Sequence, residues 1–196
     1  MLKRLLDCVS SFLGLIAFFP LFLLVGILIK VDSPGPVFYL GERVGMNGRL
    51  FRMCKFRTMV ENAEAIGGFS TPADDPRLTR FGRILRRHKL DELPQLINVL
   101  RGEMSMVGPR PDVVKYVNHL EGENRRILSV RPGMTDYSSL RFFNEGEILS
   151  KSDDPERTYL EEILPIKIKL QLDYVKRRSL LIDLEIILAT LKRLVG

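Results

Sequence analysis

The chain has no tryptophan and only two cysteines and two histidines among its 196 residues. Cys8 and Cys54 cannot build a disulfide framework, and with His88 and His119 they offer no zinc-finger or two-histidine spacing. A metal here must therefore be hard and oxygen-ligated. Aromatic residues make up 8%, too few for a base-stacking platform, which argues against nucleic acid as a partner. There is no P-loop, no G-x-G-x-x-G after a strand, no Cys-x-x-Cys and no internal repeat. Long apolar runs are scarce too: one stretch could cross a bilayer, and 28% of residues are charged, which excludes a multi-span transporter. A hydrophobic content of 45% excludes wholesale disorder, and the length suits a single domain. The net charge of +6 favours an anionic partner. Chemistry is left to carboxylates and basic side chains.

Cys8 to Ile29 holds no charged residue. As a helix rising about 1.5 Å per residue it would match the hydrocarbon thickness of a membrane. No small-x-small site follows it, so it reads as an uncleaved anchor. Both flanks are basic, with Lys3 and Arg4 before and Lys30, Arg43, Arg49 and Arg52 after. The positive-inside rule would place both in the cytoplasm. Pro20 lies near the middle, where a bend could return the helix to its side of entry. Proline is also common in spanning helices, so the residues alone favour a plain spanning helix and leave a re-entrant one open.

Ser33-Pro34-Gly35-Pro36 ends this element, and Val37-Phe38-Tyr39-Leu40 reads as a strand. Asn47-Gly48 predicts a hairpin turn, with Leu50 to Phe56 as the partner strand. Lys55 and Arg57, two apart, share a face on extended chain and suit either solvent or an anion. Gly67 to Pro76 reads as a flexible loop, and Leu78 to Arg87 as a basic amphipathic helix. Next, Leu93, Leu96, Ile97 and Leu100 recur at helical spacing with Gly102 placed as a C-terminal cap. Pro94 fits only the first turn, which puts Asp91 at or near the N-cap with Glu92 just inside. Asp91 there is an ordinary cap, or an ionised carboxylate poised to attack a phosphoryl group that nearby arginines neutralise. In Gly108-Pro109-Arg110-Pro111 two prolines restrict Arg110, giving either a rigid loop or a phosphate clamp. Leu160 to Tyr174 and Leu180 to Leu194 read as helices. The second carries Leu180, Leu181, Leu184, Ile187, Leu188 and Leu191 on a broad stripe, expected to pack into the core.

Taken in order, Ser33-Pro34-Gly35-Pro36-Val37-Phe38-Tyr39, Glu42-Arg43-Val44-Gly45, Lys55-Phe56-Arg57-Thr58-Met59, Leu90-Asp91-Glu92-Leu93-Pro94-Gln95, Asn98-Val99, Met104-Ser105 and Gly108-Pro109-Arg110-Pro111 resemble the bacterial sugar transferase family, the monotopic polyprenyl-phosphate phosphoglycosyl transferases. The resemblance runs almost end to end and looks like the small, catalytic-core-only form. It implies an α+β fold: a re-entrant membrane helix kinked at Pro20 (residues 1–32), then a mostly helical catalytic domain with a small β-hairpin (33–196) on the membrane surface. It implies transfer of a sugar 1-phosphate from a UDP-sugar to undecaprenyl phosphate, releasing UMP, through a covalent aspartyl intermediate at the cytoplasmic face of the inner membrane, with both termini cytoplasmic. The family nucleophile maps onto Asp91, which would also meet Mg²⁺, with Glu92 beside it. Phosphate-binding positions map onto Arg86 and Arg110, with Lys55 and Arg57 as further candidates. Asp173 matches a family acidic position. Two departures are visible: Phe19 precedes Pro20 where some relatives have Ser, and Asp136-Tyr137-Ser138-Ser139 replaces the usual Gly, aromatic and Gln, which bears on sugar choice. The rival reading is a non-catalytic, membrane-anchored basic module binding anionic lipid or nucleic acid.

Overall fold

A computed structural model describes residues 1–63 and 71–195. The expected loop at Gly67 to Pro76 falls partly outside these residues, as does Gly196. Among the described residues the fold is mostly helical with two small sheets. Helix α1, Leu2–Asp32, runs unbroken for 31 residues with Pro20 inside it. Asp7, Ser11, Val25 and Ile29 are its buried positions, spaced so that they fall on one stripe. Most of the remaining circumference is apolar and exposed, including Phe12, Leu13, Ile16, Phe19, Leu24 and Ile27.

Strands β1 (Phe38–Val44) and β2 (Leu50–Phe56) form the expected hairpin, with Phe38 opposite Phe56 and Val44 opposite Leu50. Asn47 (φ 58°) and Gly48 (φ 78°) supply the left-handed residues of the turn. β1 extends four residues past the expected Leu40. Phe56 is the centre of a core with Val25, Ile29 and Leu85, which fastens the carboxyl half of α1 to the hairpin and to α2 (Arg80–Arg87). Thr79 caps α2 by accepting from the Gly82 N–H at 3.0 Å.

A 3₁₀ turn at Leu90–Glu92 leads into α3, Gln95–Arg101, which Gly102 ends with φ 85°. The helix and its cap are as the spacing predicts, but its buried face takes in only part of the leucine stripe. Gln95, Leu96, Asn98 and Val99 are buried while Leu100 is exposed. The cause is Asn98, whose Oδ1 accepts from the Cys54 N–H at 2.8 Å and whose Nδ2 donates to the Arg52 carbonyl at 2.8 Å. Its amide thus completes the free edge of β2.

Strand β3, Ser105–Val107, pairs in parallel with β4, Gly133–Thr135. Short helices follow at Val114–Val117 (α4), Tyr137–Arg141 (α5), Glu145–Leu149 (α6) and Pro155–Thr158 (α7). A π-turn at Tyr159–Ile163 opens α8, Leu164–Arg177. Pro165 lacks the N–H for a regular i to i−4 bond, which accounts for the widened turn. The last helix, α9, is Leu180–Val195. Its apolar stripe departs from the expected core packing: Leu181, Leu184, Leu188 and Leu191 are exposed, whereas Asp183 and Ile186 face inward. A stripe this broad exceeds what Val107, Tyr174 and Val175 can cover.

Candidate active site

The turn at Leu90–Glu92 begins after Lys89, which adopts φ 56° and ψ 18°. This left-handed residue reverses the chain between α2 and the turn. Asp91 is therefore in the first turn of the helical segment rather than at its cap. Successive residues of a 3₁₀ turn diverge by about a third of a revolution, so Asp91 and Glu92 meet different neighbours.

Glu92 is the hub of a charge cluster. Its carboxylate takes both terminal nitrogens of the Arg110 guanidinium, Nη1 at 3.1 Å and Nη2 in a closer contact, and the Lys55 ammonium at 3.0 Å. Burial alone would raise the Glu92 carboxyl, but Arg110 and Lys55 together hold it well below the usual carboxylate range. Arg110 is raised in turn, by Glu92 above all. Burial lowers Lys55 despite the opposing pull of Glu92.

Asp91 differs sharply. It is 5% exposed, and among the described residues no side chain hydrogen-bonds its carboxylate. Burial pushes it up from the ordinary value, while Lys55, Arg86 and Lys89 draw it partly back. It is a buried, unbound carboxylate facing a positive field. Burial lowers Arg86, which Asp91 and Asp75 oppose, and its Nε donates to Thr58 Oγ1 at 3.1 Å.

The loop carrying Arg110 is fixed by close backbone approach. The Gly108 N–H donates to Thr135 O at 3.1 Å and the Gly133 N–H to Pro109 O at 2.9 Å. A Cβ on Gly133 would lie 2.0 Å from the Gly108 nitrogen, so only glycine fits there. Asp136, fully buried, caps α5 through the Ser139 N–H at 2.7 Å, accepts from the Ser138 hydroxyl and from the Arg110 N–H at 3.4 Å. The unusual Asp136 to Ser139 segment thus braces the backbone of Arg110.

Of the residues singled out from sequence, Asp91, Glu92, Lys55, Arg86 and Arg110 come together. Arg57 is turned elsewhere: β2 ends at Phe56, and the Arg57 guanidinium binds the Pro34 carbonyl, Ser33 O at 2.7 Å and Ser33 Oγ at 3.0 Å. It closes the carboxyl end of α1, a site of unpaired carbonyls. Asp173 lies on α8 and pairs with Arg177 at 3.4 Å. Pro20 is exposed on the outer side of α1.

Sequence reasoning missed Gln95 and the Asp75–Arg77 pair. Gln95 is 1% exposed, and neither atom of its amide has a partner. It lies four residues after Asp91, where i, i+4 spacing could have flagged it. Asp75 and Arg77 form a buried pair, with Nη2 to Oδ2 at 2.7 Å, that Asp-x-Arg in a polar loop did not announce.

No group of three or more His, Cys, Asp or Glu residues able to hold a metal occurs among the described residues. The available donor is Asp91, since Glu92 is engaged by two cations. One carboxylate plus substrate phosphates suits Mg²⁺, which keeps few protein ligands in phosphoryl-transfer sites.

The family model for "Bacterial sugar transferase" matches residues 1–196. A "UDP-glucose:undecaprenyl-phosphate glucose-1-phosphate transferase" of Xanthomonas campestris pv. campestris is 37% identical over 99% of this chain and 39% of its own length. A "UDP-N-acetylgalactosamine-undecaprenyl-phosphate N-acetylgalactosaminephosphotransferase" of Aeromonas hydrophila is 36% identical over 97% of this chain and 43% of its own. The chain thus spans about two fifths of the length of these two relatives. A second "UDP-glucose:undecaprenyl-phosphate glucose-1-phosphate transferase", from Caulobacter vibrioides, is 37% identical over 98% of this chain and 69% of its own length.

Proposed function

This chain belongs to the bacterial sugar transferase family, and on that premise we propose that it transfers a sugar 1-phosphate from a UDP-sugar to undecaprenyl phosphate with Asp91 as nucleophile. The observation that carries the reading is the contrast at the site: a buried carboxylate at Asp91 that takes no side-chain hydrogen bond among the described residues, beside a neighbouring carboxylate that holds two cations.

In the first step an Asp91 oxygen attacks the sugar-bearing phosphorus. The bond from that phosphorus to the bridging oxygen breaks, and UMP leaves with the oxygen and the electron pair. In the second step a phosphate oxygen of undecaprenyl phosphate attacks the same phosphorus, the Asp91 carboxylate is restored, and the lipid diphosphate sugar leaves. The sugar's own C1–O bond stays intact throughout. Lys55, Arg86 and Arg110 neutralise the transferring group, and Glu92 holds Arg110 and Lys55 in place before the diphosphate arrives. Asp91 would hold Mg²⁺, which supplies charge stabilisation to the phosphates when bound.

Residues 1–32 serve as a re-entrant membrane element and 33–196 as the domain on the cytoplasmic face. Two contacts support this. Lys3, at one end of α1, meets Asp183 at 2.6 Å, and Asp32, at the other, accepts from the Phe81 N–H at 2.9 Å. A helix with both ends on one body does not place them on opposite sides of a bilayer. The exposed leucines of α9 give that body a second apolar contact with lipid.

The test is magnesium-dependent UMP release from a panel of UDP-sugars. Without lipid acceptor, release should stop at about one equivalent, and mass spectrometry should find a sugar phosphate on the Asp91 peptide. An adduct on another residue refutes the assignment of Asp91. Absence of UMP release with every donor would favour the non-catalytic basic module.

A further inference from the structure

Lys3 and Arg4 read in sequence as a basic flank of an apolar helix, and Asp7 follows one turn later. All three are engaged with the domain. Arg4 donates to the Val99 carbonyl at 2.5 Å and the Leu100 carbonyl at 2.9 Å. These belong to the last turn of α3, where the Val99 carbonyl also accepts from the Gly102 N–H at 3.0 Å and Arg4 adds a second donor. Asp7 is 5% exposed and accepts from Ser105 Oγ at 2.9 Å and the Met106 N–H at 3.0 Å. Lys3 donates to the Val107 carbonyl at 3.1 Å and to Asp183. Tyr174 reaches the same carbonyl at 3.2 Å and the other Asp183 oxygen at 2.7 Å.

The two elements gripped in this way are the two supports of the site. α3 continues directly from the turn bearing Asp91 and Glu92, and β3 runs into Gly108-Pro109-Arg110. We propose that the first two turns of α1 are a positioning clamp for the reaction, with Lys3, Arg4 and Asp7 setting the placement of Arg110 relative to Asp91 and Glu92, a role separate from membrane attachment. The proposal rests on the function assigned above. A rigid helix carries a tilt at its carboxyl end to the residues at its start, and misplacement by about 1 Å at a reacting centre can cost about a hundredfold in rate.

The experiment uses the full chain in nanodiscs. Asp7→Asn loses the charge and one of the two acceptor oxygens, and Arg4→Met keeps the stem but loses both carbonyl contacts. Each should lower kcat for UMP release by about tenfold or more, leave the membrane-bound fraction unchanged, and speed amide hydrogen exchange across residues 105–110. Arg4→Lys, which can still donate to the carbonyls, should recover most of the rate. Wild-type rates and exchange in both Asp7→Asn and Arg4→Met would overturn the clamp. So would loss of Arg4→Met from the membrane with normal exchange in β3, since Arg4 would then be a topological charge. If Asp7→Asn does not fold, Arg4→Met and its Lys counterpart decide the matter. If the native protein releases no UMP, the functional reading has failed, and the exchange measurement still tests the clamp by itself.

Discussion

Replacing Glu92 by Gln isolates the electrostatic core of the site. The side chains of Lys55 and Glu92 are 18% and 17% exposed and that of Arg110 is 29% exposed, so solvent screens the cluster only modestly. Gln offers one neutral acceptor where the carboxylate met an ammonium and a guanidinium, and its NH₂ would face a donor. Removing one partner of a buried ion pair costs about 3–5 kcal/mol. The lower end applies here, because all three side chains keep part of their surface in water. A loss of about 3 kcal/mol in a chain of this size corresponds to a Tm about 6–12 °C lower. The pH dependence has a definite sign. Glu92 is depressed in the folded state, so its contribution is complete above the ordinary Glu value of about 4.3 and disappears as pH falls through the folded-state value. Thermal melts followed by circular dichroism should show a constant gap between the native protein and Glu92→Gln from pH 6 to 8 (about neutral, above the Glu range), closing only on stronger acidification. Equal Tm values at neutral pH, or a gap that widens with acid, would refute the ion-pair account.

Asp91→Asn should abolish turnover, a loss of about a thousandfold or more, without lowering Tm, because it removes a buried charge that has no hydrogen bond to lose. In the native protein UMP release should rise with pH through an acid limb above the ordinary aspartate range, since burial raises Asp91 and the nucleophile must be ionised; a pH–rate profile reads this directly. Arg110→Lys keeps the charge but loses the two-nitrogen grip on Glu92, so activity should fall markedly with membrane association unchanged in a flotation assay. Gln95→Met removes an amide with no partner, whose burial costs about 1–3 kcal/mol, so Tm without substrate should rise; a fall would show that the amide is bonded. Tags at either terminus should both resist reagents added from the periplasmic side, and labelling of the amino-terminal tag alone would restore a spanning helix.

What could be read from sequence was what local chemistry dictates. The Asn47-Gly48 turn, the Gly102 cap and the gathering of Asp91 with Arg86 and Arg110 all follow from residues close together in the chain or from an ordered motif. The errors arose where a distant partner decides. Lys55 and Arg57 share a face only while the strand lasts; once β2 ends at Phe56, the unpaired carbonyls at the end of α1 capture Arg57. The leucine spacing of α3 predicts an apolar buried face, yet the free edge of β2 needs donors and acceptors, and Asn98 supplies them. The stripe on α9 looks like core because spacing shows only that a face is apolar, not what covers it. Lys3 and Arg4 were legible as charge and illegible as ligands of α3 and β3, about a hundred residues away.

The difference in surroundings between Asp91 and Glu92 comes from backbone geometry more than from side-chain identity. Both are acidic, adjacent and shielded from water. Lys89 in the left-handed region starts the helical segment one residue before Leu90, and the tight turn then points one carboxylate at Arg110 and Lys55 and leaves the other unbound. The cations that depress Glu92 make it a poor nucleophile, because its electron pairs are already committed to N–H donors. The burial that raises Asp91 has the opposite effect: it strips the carboxylate of water and hydrogen bonds, so its basicity, and with it its nucleophilicity, is higher once ionised. Lys55 and Arg86 keep the ionised form accessible. Exchanging the two residues would therefore not exchange their surroundings, because the position sets the environment: Glu at 91 would be long by one methylene yet unpaired, and Asp at 92 would fall short of both cations.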